Sequence, residues 1–472
     1  MDNLIFIHLK ENIGMIKMLL DNKLMSRFSI IYLFLICTSF LFGQRIVGYY
    51  PQWGDQDFQL SSIDLTFVTH INHAFSWPDE NGNIYSYENM FDILNAQIVH
   101  NAGRKILLSV GGGGNDDDFS SLVSSPISRA AFISNLLEIC DTYDYDGIDL
   151  NWEHPSSTED RQNLNLLISE MYTEFNANNQ ELIITMAVPI SNWFGQWYDF
   201  SFLRYYVEFF NAMTYNIHGD WSGHSGHNAP LFQSPPGDSD GSCVTGINYL
   251  INSREILPEQ VNMGLPFWGK QYHSEGINLN FTGDVINLWY SEIVDLIDEG
   301  WDYEWDANAF APYLVNYDQQ SIITYDNPES IGYKCSYANS ENLGGVMIWA
   351  LGYDLTTQGQ ELMNSINQYY GSLVNVNYST VFPKFFTKVY PNPFNSNLII
   401  EYELLNDEFL SIDLLSINGE LVVSLFNGIG KRGMTKFFLN TSQIPKKISS
   451  GFYLIKLNGE SARITKKVLY LK

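Results

Sequence analysis

Three polar side chains stand two residues apart in Asp149-Leu150-Asn151-Trp152-Glu153, the end of the run Tyr145–Glu153. In a β-strand alternate residues face the same side, so Asp149, Asn151 and Glu153 share one face while Ile148, Leu150 and Trp152 share the other. The apolar face can pack on helices, which turns the polar face toward an interior. A row of acids pointing inward is costly, because burial and mutual repulsion raise carboxyl pKa values. That cost has a chemical use: it keeps a glutamic acid protonated near neutrality, able to act as a general acid. The alternative is a solvated edge strand with scattered acids, and the number of agreeing positions disfavours it.

Such a strand needs a frame that buries it. Between Arg45 and Tyr370, short β-rich apolar runs alternate with amphipathic stretches. The strand candidates are Ile46–Tyr50, His70–Phe75, Lys105–Val110, Gly147–Trp152, Leu182–Val188, Phe209–Tyr215, Val261–Pro266 and Gly345–Trp349. Ile127–Tyr143 and Ser157–Asn178 carry helical patterns, the second opened by a Ser157/Asp160 pair resembling a capping box. Strands alternating with helices argue for a parallel sheet, and eight such units predict a (β/α)8 TIM barrel. Glu153 then lies at the C-terminal mouth, where such barrels place catalysis.

The connection after the seventh candidate strand is too long for a barrel loop. It reads as a small α+β insertion over about 268–343, with a helix at Tyr290–Glu299 and a strand-like piece at Ser321–Tyr325. The catalytic unit is expected over 45–371 and a polar linker over 372–387. A small all-β sandwich is expected over 388–472, punctuated by Asn418-Gly419, Asn427-Gly428 and Asn458-Gly459 as hairpin signals.

Charge supports the same division. The net charge is −28, yet Arg45–Tyr370 carries 9 Lys+Arg against 43 Asp+Glu, while Gly371–Lys472 carries 12 against 7. So acidic a block repels nucleic acid and anionic membrane surfaces, which excludes a nucleic-acid partner as a working reading. Aromatic residues make up 15% of the chain, ample for a core and against disorder. Residues 1–44 hold the one long apolar run, Phe28–Cys37, after Lys23 and Arg27. They read as an N-terminal extension and signal peptide with Met25 a natural start, and as export rather than lipid anchoring. Cys140, Cys243 and Cys335 suit neither a zinc site nor a thiol-redox motif, and buried, inert thiols are the expectation.

The run Asp146-Gly147-Ile148-Asp149-Leu150-Asn151-Trp152-Glu153 resembles the signature of glycoside hydrolase family 18, Asp-Gly-x-Asp-x-Asp-x-Glu, with Asn151 at the third acidic place. Ser109-Val110-Gly111-Gly112 looks like the family's Ser-x-Gly-Gly on the third strand. Met213-Thr214-Tyr215-Asn216 resembles Met-x-Tyr-Asp on the sixth, with Asn216 for Asp. Gly226–Leu231, Met263–Gly269 and Gly345–Trp349 continue the match, and the insertion resembles the chitinase insertion domain. Val389–Phe394, Gly451-Phe452-Tyr453 and the basic ending resemble the sorting domain of the type nine secretion system.

The resemblance implies a secreted chitinase hydrolysing β-1,4 linkages between N-acetylglucosamine units by substrate assistance with retention. It implies Glu153 as acid and then base, Asn151 and Tyr215 holding the 2-acetamido group, and Asp149 tuning Glu153. Trp349 would floor the distorted sugar, Asp146 would support the strand's inner face, and Asn216 would lie beside the substrate. Trp221, Trp193 and Trp268, in or beside strand-end loops, could stack on sugar rings, a packed loop aromatic being the rival reading of each. Tyr50 and Phe75, ending the first two strands, complete the expected substrate-binding set. Chitin or N-acetylglucosamine oligosaccharides and the outer-membrane secretion machinery are the expected partners of an extracellular or cell-surface monomer. No metal or organic cofactor is implied. A chitin-binding lectin with little hydrolysis and an endo-β-N-acetylglucosaminidase acting on glycans are the rival functions.

Overall fold

The computed structural model describes residues 44–371 and 388–472, apart from 57, 178–181, 298 and short stretches at 392–393, 405–406, 417–420, 442–443, 445–447 and 460–462. The expected signal peptide and linker lie outside the described residues. The chain divides into two compact units, the first ending at Gly371 and the second containing Ser372–Lys472.

In the first unit eight strands close on themselves: Arg45–Pro51, His70–Pro78, Lys105–Gly111, Gly147–Asn151, Ile183–Val188, Phe209–Ala212, Val261–Pro266 and Gly345–Trp349. Each is parallel to the next, and the first pairs with both the second and the eighth. This is the expected (β/α)8 barrel, strand for strand. Its outward residues are mostly apolar and buried, with His73 a polar exception paired to Tyr145 and Gln52, and Trp152 lies stacked on Phe119 of a covering helix at 5.4 Å. The barrel interior is mixed: Val47, Tyr49, Phe209 and Met347 are apolar and buried there, and Asn72, Ser109, Asp149, Thr185, Asn211 and Asn262 are polar and fully buried. Ser109, Thr185 and Asn211 bond to Asp149, and Asn262 bonds to Asn211, whereas the Asn72 amide has no partner.

The helices begin where the sequence offers caps. Ser125 accepts the backbone N–H of Ser128 ahead of Pro126–Tyr143, whose first residue is a proline with no N–H to satisfy. That helix ends on Asp144 in the left-handed conformation. At Thr158–Ala177, Ser157 Oγ accepts the N–H of Asp160, and the Asp160 carboxylate reaches back to the N–H of Ser156. The capping pair is therefore real but offset by one residue.

The insertion is a five-stranded antiparallel sheet ordered Thr282–Trp289, Trp268–His273, Ser321–Thr324, Ala311–Asn316 and Asp302–Asp306, with the helix Tyr290–Leu296. The helix Pro328–Ser340, within the 268–343 span but not itself expected from the sequence, bonds to the chain that closes the barrel. Ser365 Oγ bonds Pro328 O, and Asn339 Nδ2 bonds Tyr369 O, in the segment that closes the barrel.

The second unit comprises a sheet of three strands and one of four around Leu398, Ile400, Leu410, Ile412, Ile455 and Leu457. Asn427-Gly428 is not a turn. Both residues lie within the strand Leu421–Gly430, opposite Ser411 and Leu410. That strand is at a sheet edge, where a glycine is tolerated. Asn458-Gly459 ends the strand Gly451–Gly459, immediately before a chain reversal. Asn418-Gly419 lies outside the described residues.

Candidate active site

The fourth strand ends at Asn151, and Glu153 follows two residues on, at the barrel's C-terminal mouth. Its backbone N–H is held by Asp116 Oδ2 at 2.9 Å. Burial pushes the Glu153 carboxyl up to about 7, and the charge of Asp116 adds to the rise. Hydrogen bonds from the Asn151 side chain and from the Gly113 backbone pull the other way. The result is a carboxylic acid largely protonated just below neutrality, as proton donation near pH 7 requires. The glycine turn after the third strand makes room for this. Gly112 has φ of 84°, donates its N–H to Asn151 O at 2.7 Å, and an added Cβ would come 2.3 Å from the Phe75 ring.

Asp149 lies one layer deeper. Register sets Ser109 and Thr185 level with it on the flanking strands. Their hydroxyls donate to its carboxylate at 2.8 and 2.6 Å, joined by Tyr49 at 2.7 Å and Asn211 at 3.2 Å. Burial pushes this carboxyl up while the four donors oppose the rise. The charge that helps to raise Glu153 therefore comes from a different acid than the strand pattern suggests: Asp116, on the loop after the third strand. Asn151 Oδ1 is buried and has no hydrogen-bond partner. A buried acceptor left open beside a protonated acid is a place for a ligand N–H. Tyr215 keeps its phenol proton, since burial and then the charges of Glu153 and Asp149 push it well above its ordinary value.

These groups floor a cleft of about 1700 Å³, lined by Asn151, Glu153, Tyr215, Asn216, Phe75, Trp349, Trp193, Trp221 and Trp268 among others. Trp349 ends the eighth strand and stacks on Phe75 at 5.5 Å. Trp193 and Trp221 are largely exposed, at 76% and 62%, and so are free to meet a ligand, whereas Trp268 is buried along one wall. Asn216 is held in the left-handed region, its N–H bonded to Asn228 Oδ1 within the Gly226–Leu231 segment.

Two expected site residues are elsewhere. Tyr50 points to the barrel's outer side, where its hydroxyl accepts the N–H of Leu60 and its ring meets Phe58 and His73. Neighbours on a strand face opposite ways, and it is Tyr49 that points inward. Asp146 precedes the fourth strand, at the end remote from the mouth. Its carboxylate accepts the N–H of Ile106 at 2.7 Å and pairs with His100, so it braces the strand's start and not its inner face.

Three cleft residues, Trp53, Trp289 and Lys270, carried no sequence signal. Trp53 packs on Trp349, Phe75 and Tyr87, and Trp289 stacks on Tyr353 at 4.6 Å. Lys270 Nζ sits 4.8 Å from the Trp221 ring centroid and 5.1 Å from that of Trp268, and burial lowers its ammonium to about 8. Only the folded insertion brings Lys270 and Trp289 to the cleft.

A closed parallel barrel, one acid held protonated at its C-terminal mouth and an aromatic cleft above it define a barrel hydrolase of the glycosidase type. The chain belongs to the glycosyl hydrolases family 18, whose model matches residues 45–354. Residues 388–470 match the secretion system C-terminal sorting domain. Chitinase A1 of Niallia circulans is 27% identical over 66% of this chain and 56% of its own length, so the chain spans little more than half of that relative. A class V chitinase of Lotus japonicus is 31% identical over 65% of the chain and 82% of its own. Among solved structures, the Ostrinia furnacalis Group IV chitinase in complex with allosamidin is 28% identical, with a TM-score of 0.63 over 69% of this chain and 98% of its own. A class V chitinase mutant from Nicotiana tobaccum in complex with NAG4 is 25% identical, with a TM-score of 0.64 over 70% and 99%.

Proposed function

We propose that this protein is a secreted chitinase that cleaves β-1,4 bonds between N-acetylglucosamine units with retention, the substrate supplying the nucleophile. The observation that carries the reading is the pairing of a protonated Glu153 with the open Asn151 Oδ1 on the floor of an aromatic cleft. Glu153 donates its proton to the glycosidic oxygen. The carbonyl oxygen of the sugar's own acetamido group attacks C1, and the leaving sugar departs as the oxazolinium ion forms. Asn151 Oδ1 accepts the acetamido N–H, and the Tyr215 phenol donates to the carbonyl oxygen, which fixes the attack line. The Glu153 carboxylate then takes a proton from the water that opens the ring, restoring the acid.

A two-carboxylate scheme needs a second acid facing the bond from about 5–10 Å away. Neither Asp149 nor Asp116 lines the cleft; the other lining carboxylates, Asp220 and Asp240, come from the loop after the sixth strand. The ligands of two similar solved chitinases, NAG4 and allosamidin, support an N-acetylglucosamine oligomer as substrate. The matched sorting domain supports export through the type nine system to the medium or cell surface. Product analysis on chitin hexamer, with the anomer read at early times by NMR, tests the chemistry. Retained β-anomer products support it, and inverted products or an uncut hexamer reject it.

A further inference from the structure

A second set of ligating groups lies in the loop after the sixth barrel strand, apart from the residues of the proposed chemistry. His218, His224, Asp238 and Asp240 each present one ligating atom, and all four atoms lie within 4.8 Å of one another. His218 and Asp238 are buried, while His224 and Asp240 reach solvent in part. We propose that this cluster is a divalent transition-metal site suited to zinc, and that the ion clamps the loop forming one wall of the cleft.

Three of the four ligands are oriented by a backbone partner. His218 Nδ1 donates to the carbonyl of His227 and His224 Nδ1 to that of Ser225, both at 2.9 Å. With the ring protons committed there, both imidazoles turn an Nε2 lone pair toward Asp238 Oδ2, at 3.0 and 3.7 Å. The other Asp238 oxygen accepts the N–H of Asp240 at 3.0 Å, and Asp240 Oδ2 lies 3.7 Å from His218 Nε2. Backbone partners of this kind fix the tautomer and aim of metal ligands. The ring of His218 is also seated closely: a Cβ on Gly226 would come 2.3 Å from it.

Lone pairs and carboxylate oxygens facing one another in a buried place repel unless positive charge stands between them. One proton can bridge one of these contacts; a dication bridges all of them. Two imidazole nitrogens and two carboxylate oxygens form a donor set that zinc accepts. Tetrahedral zinc with bonds of about 2.0–2.2 Å places its ligands roughly 3.3 Å apart. Three of the six separations among the ligating atoms, 3.0, 3.7 and 3.7 Å, bracket that value, and the rest are no wider than 4.8 Å, so a bound ion would draw the wider pairs together. Asp240 lines the cleft and Trp221 belongs to the same loop, so a bound ion would hold this wall in place.

The test uses the full chain without an affinity tag, stripped by chelator and titrated calorimetrically at pH 7.5 with Zn²⁺, with Ca²⁺ in parallel. The expected result is about one zinc per chain. His224→Gln and Asp240→Asn, both at partly exposed positions, should each weaken it about 100-fold or more with unchanged circular dichroism. Zinc should raise the melting midpoint of the parent chain and not of the variants. Absence of saturable zinc binding, zinc binding indifferent to both substitutions, or preference for calcium would overturn the proposal. A buried imidazolium–carboxylate cluster would then be the correct description.

Discussion

Replacing Asn151 by aspartate changes two contributions to the acidity of Glu153, and both act in one direction. The Asn151 side chain now hydrogen-bonds the Glu153 carboxyl in a way that favours its ionised form. Aspartate removes that donor and adds a like charge. Two unit charges about 4 Å apart at an effective dielectric of ~20 interact by about 4 kcal/mol, equivalent to about 3 pKa units. Water in the open cleft screens part of this, which leaves roughly 1–2 units. Glu153 should therefore hold its proton to higher pH, and the alkaline limb of kcat/KM on a chitin oligomer should rise from about 7 by that amount. The two carboxyls would titrate as a pair, so the limb is a property of both. Turnover should also rise, because a carboxylate at 151 stabilises the cationic oxazolinium where an amide supplies only a dipole. The assay is a pH series of initial rates on a soluble oligomer, with binding measured separately. An unmoved limb with lowered turnover and intact binding would refute the electrostatic reasoning, while leaving Glu153 itself untouched.

Four further outcomes follow from the site and from the division of the chain. Asp116→Asn removes the charge that adds to the acidity shift of Glu153 while keeping an acceptor for its N–H, so the alkaline limb should move below about 7; a limb that stays or rises contradicts the assignment. Glu153→Gln should make the protein more stable above neutrality. The folded carboxyl, raised from 4.5 to about 7, opposes folding once ionised by up to about 3 kcal/mol, a cost absent below pH 4.5 and complete above 7. Melting midpoints of the variant and its parent should then coincide at pH 4 and separate at pH 8. A fragment of residues 44–371 should fold and match the whole chain's turnover within about twofold, since the cleft lies in the first unit, and loss of activity would refute that separation. In the native host, loss of 388–472 should leave active enzyme in the periplasm, and normal appearance in the medium would refute the sorting role.

Periodicity made the barrel legible. Each of the eight strands is a short, largely apolar run, and the alternation at Asp149, Asn151 and Glu153 places the acid at the mouth from the sequence alone. Identity along a strand was less legible than spacing. Tyr49 and Tyr50 are adjacent tyrosines, and only the register with the second and eighth strands shows which one enters the barrel. Asp146 belongs to the same motif as Glu153 yet sits at the other end of the strand, because a strand rises about 3.3 Å per residue. Asp116 carries no local pattern, since its effect on Glu153 depends on a loop folding back over the next strand. Lys270 and Trp289 reach the cleft only through the insertion's sheet. In the second unit, Asn427-Gly428 has the composition of a turn, and strand pairing overrode it.

The central claim is that Glu153 alone supplies the proton that breaks the glycosidic bond. Its most direct test is the turnover of chitin hexamer by Glu153→Gln, measured beside the affinity of the same variant for the hexamer. The account predicts a fall of roughly 10²–10⁴-fold in turnover, the usual share of general acid catalysis, with binding retained. Hydrolysis at the parent rate by a correctly folded Glu153→Gln protein would contradict it.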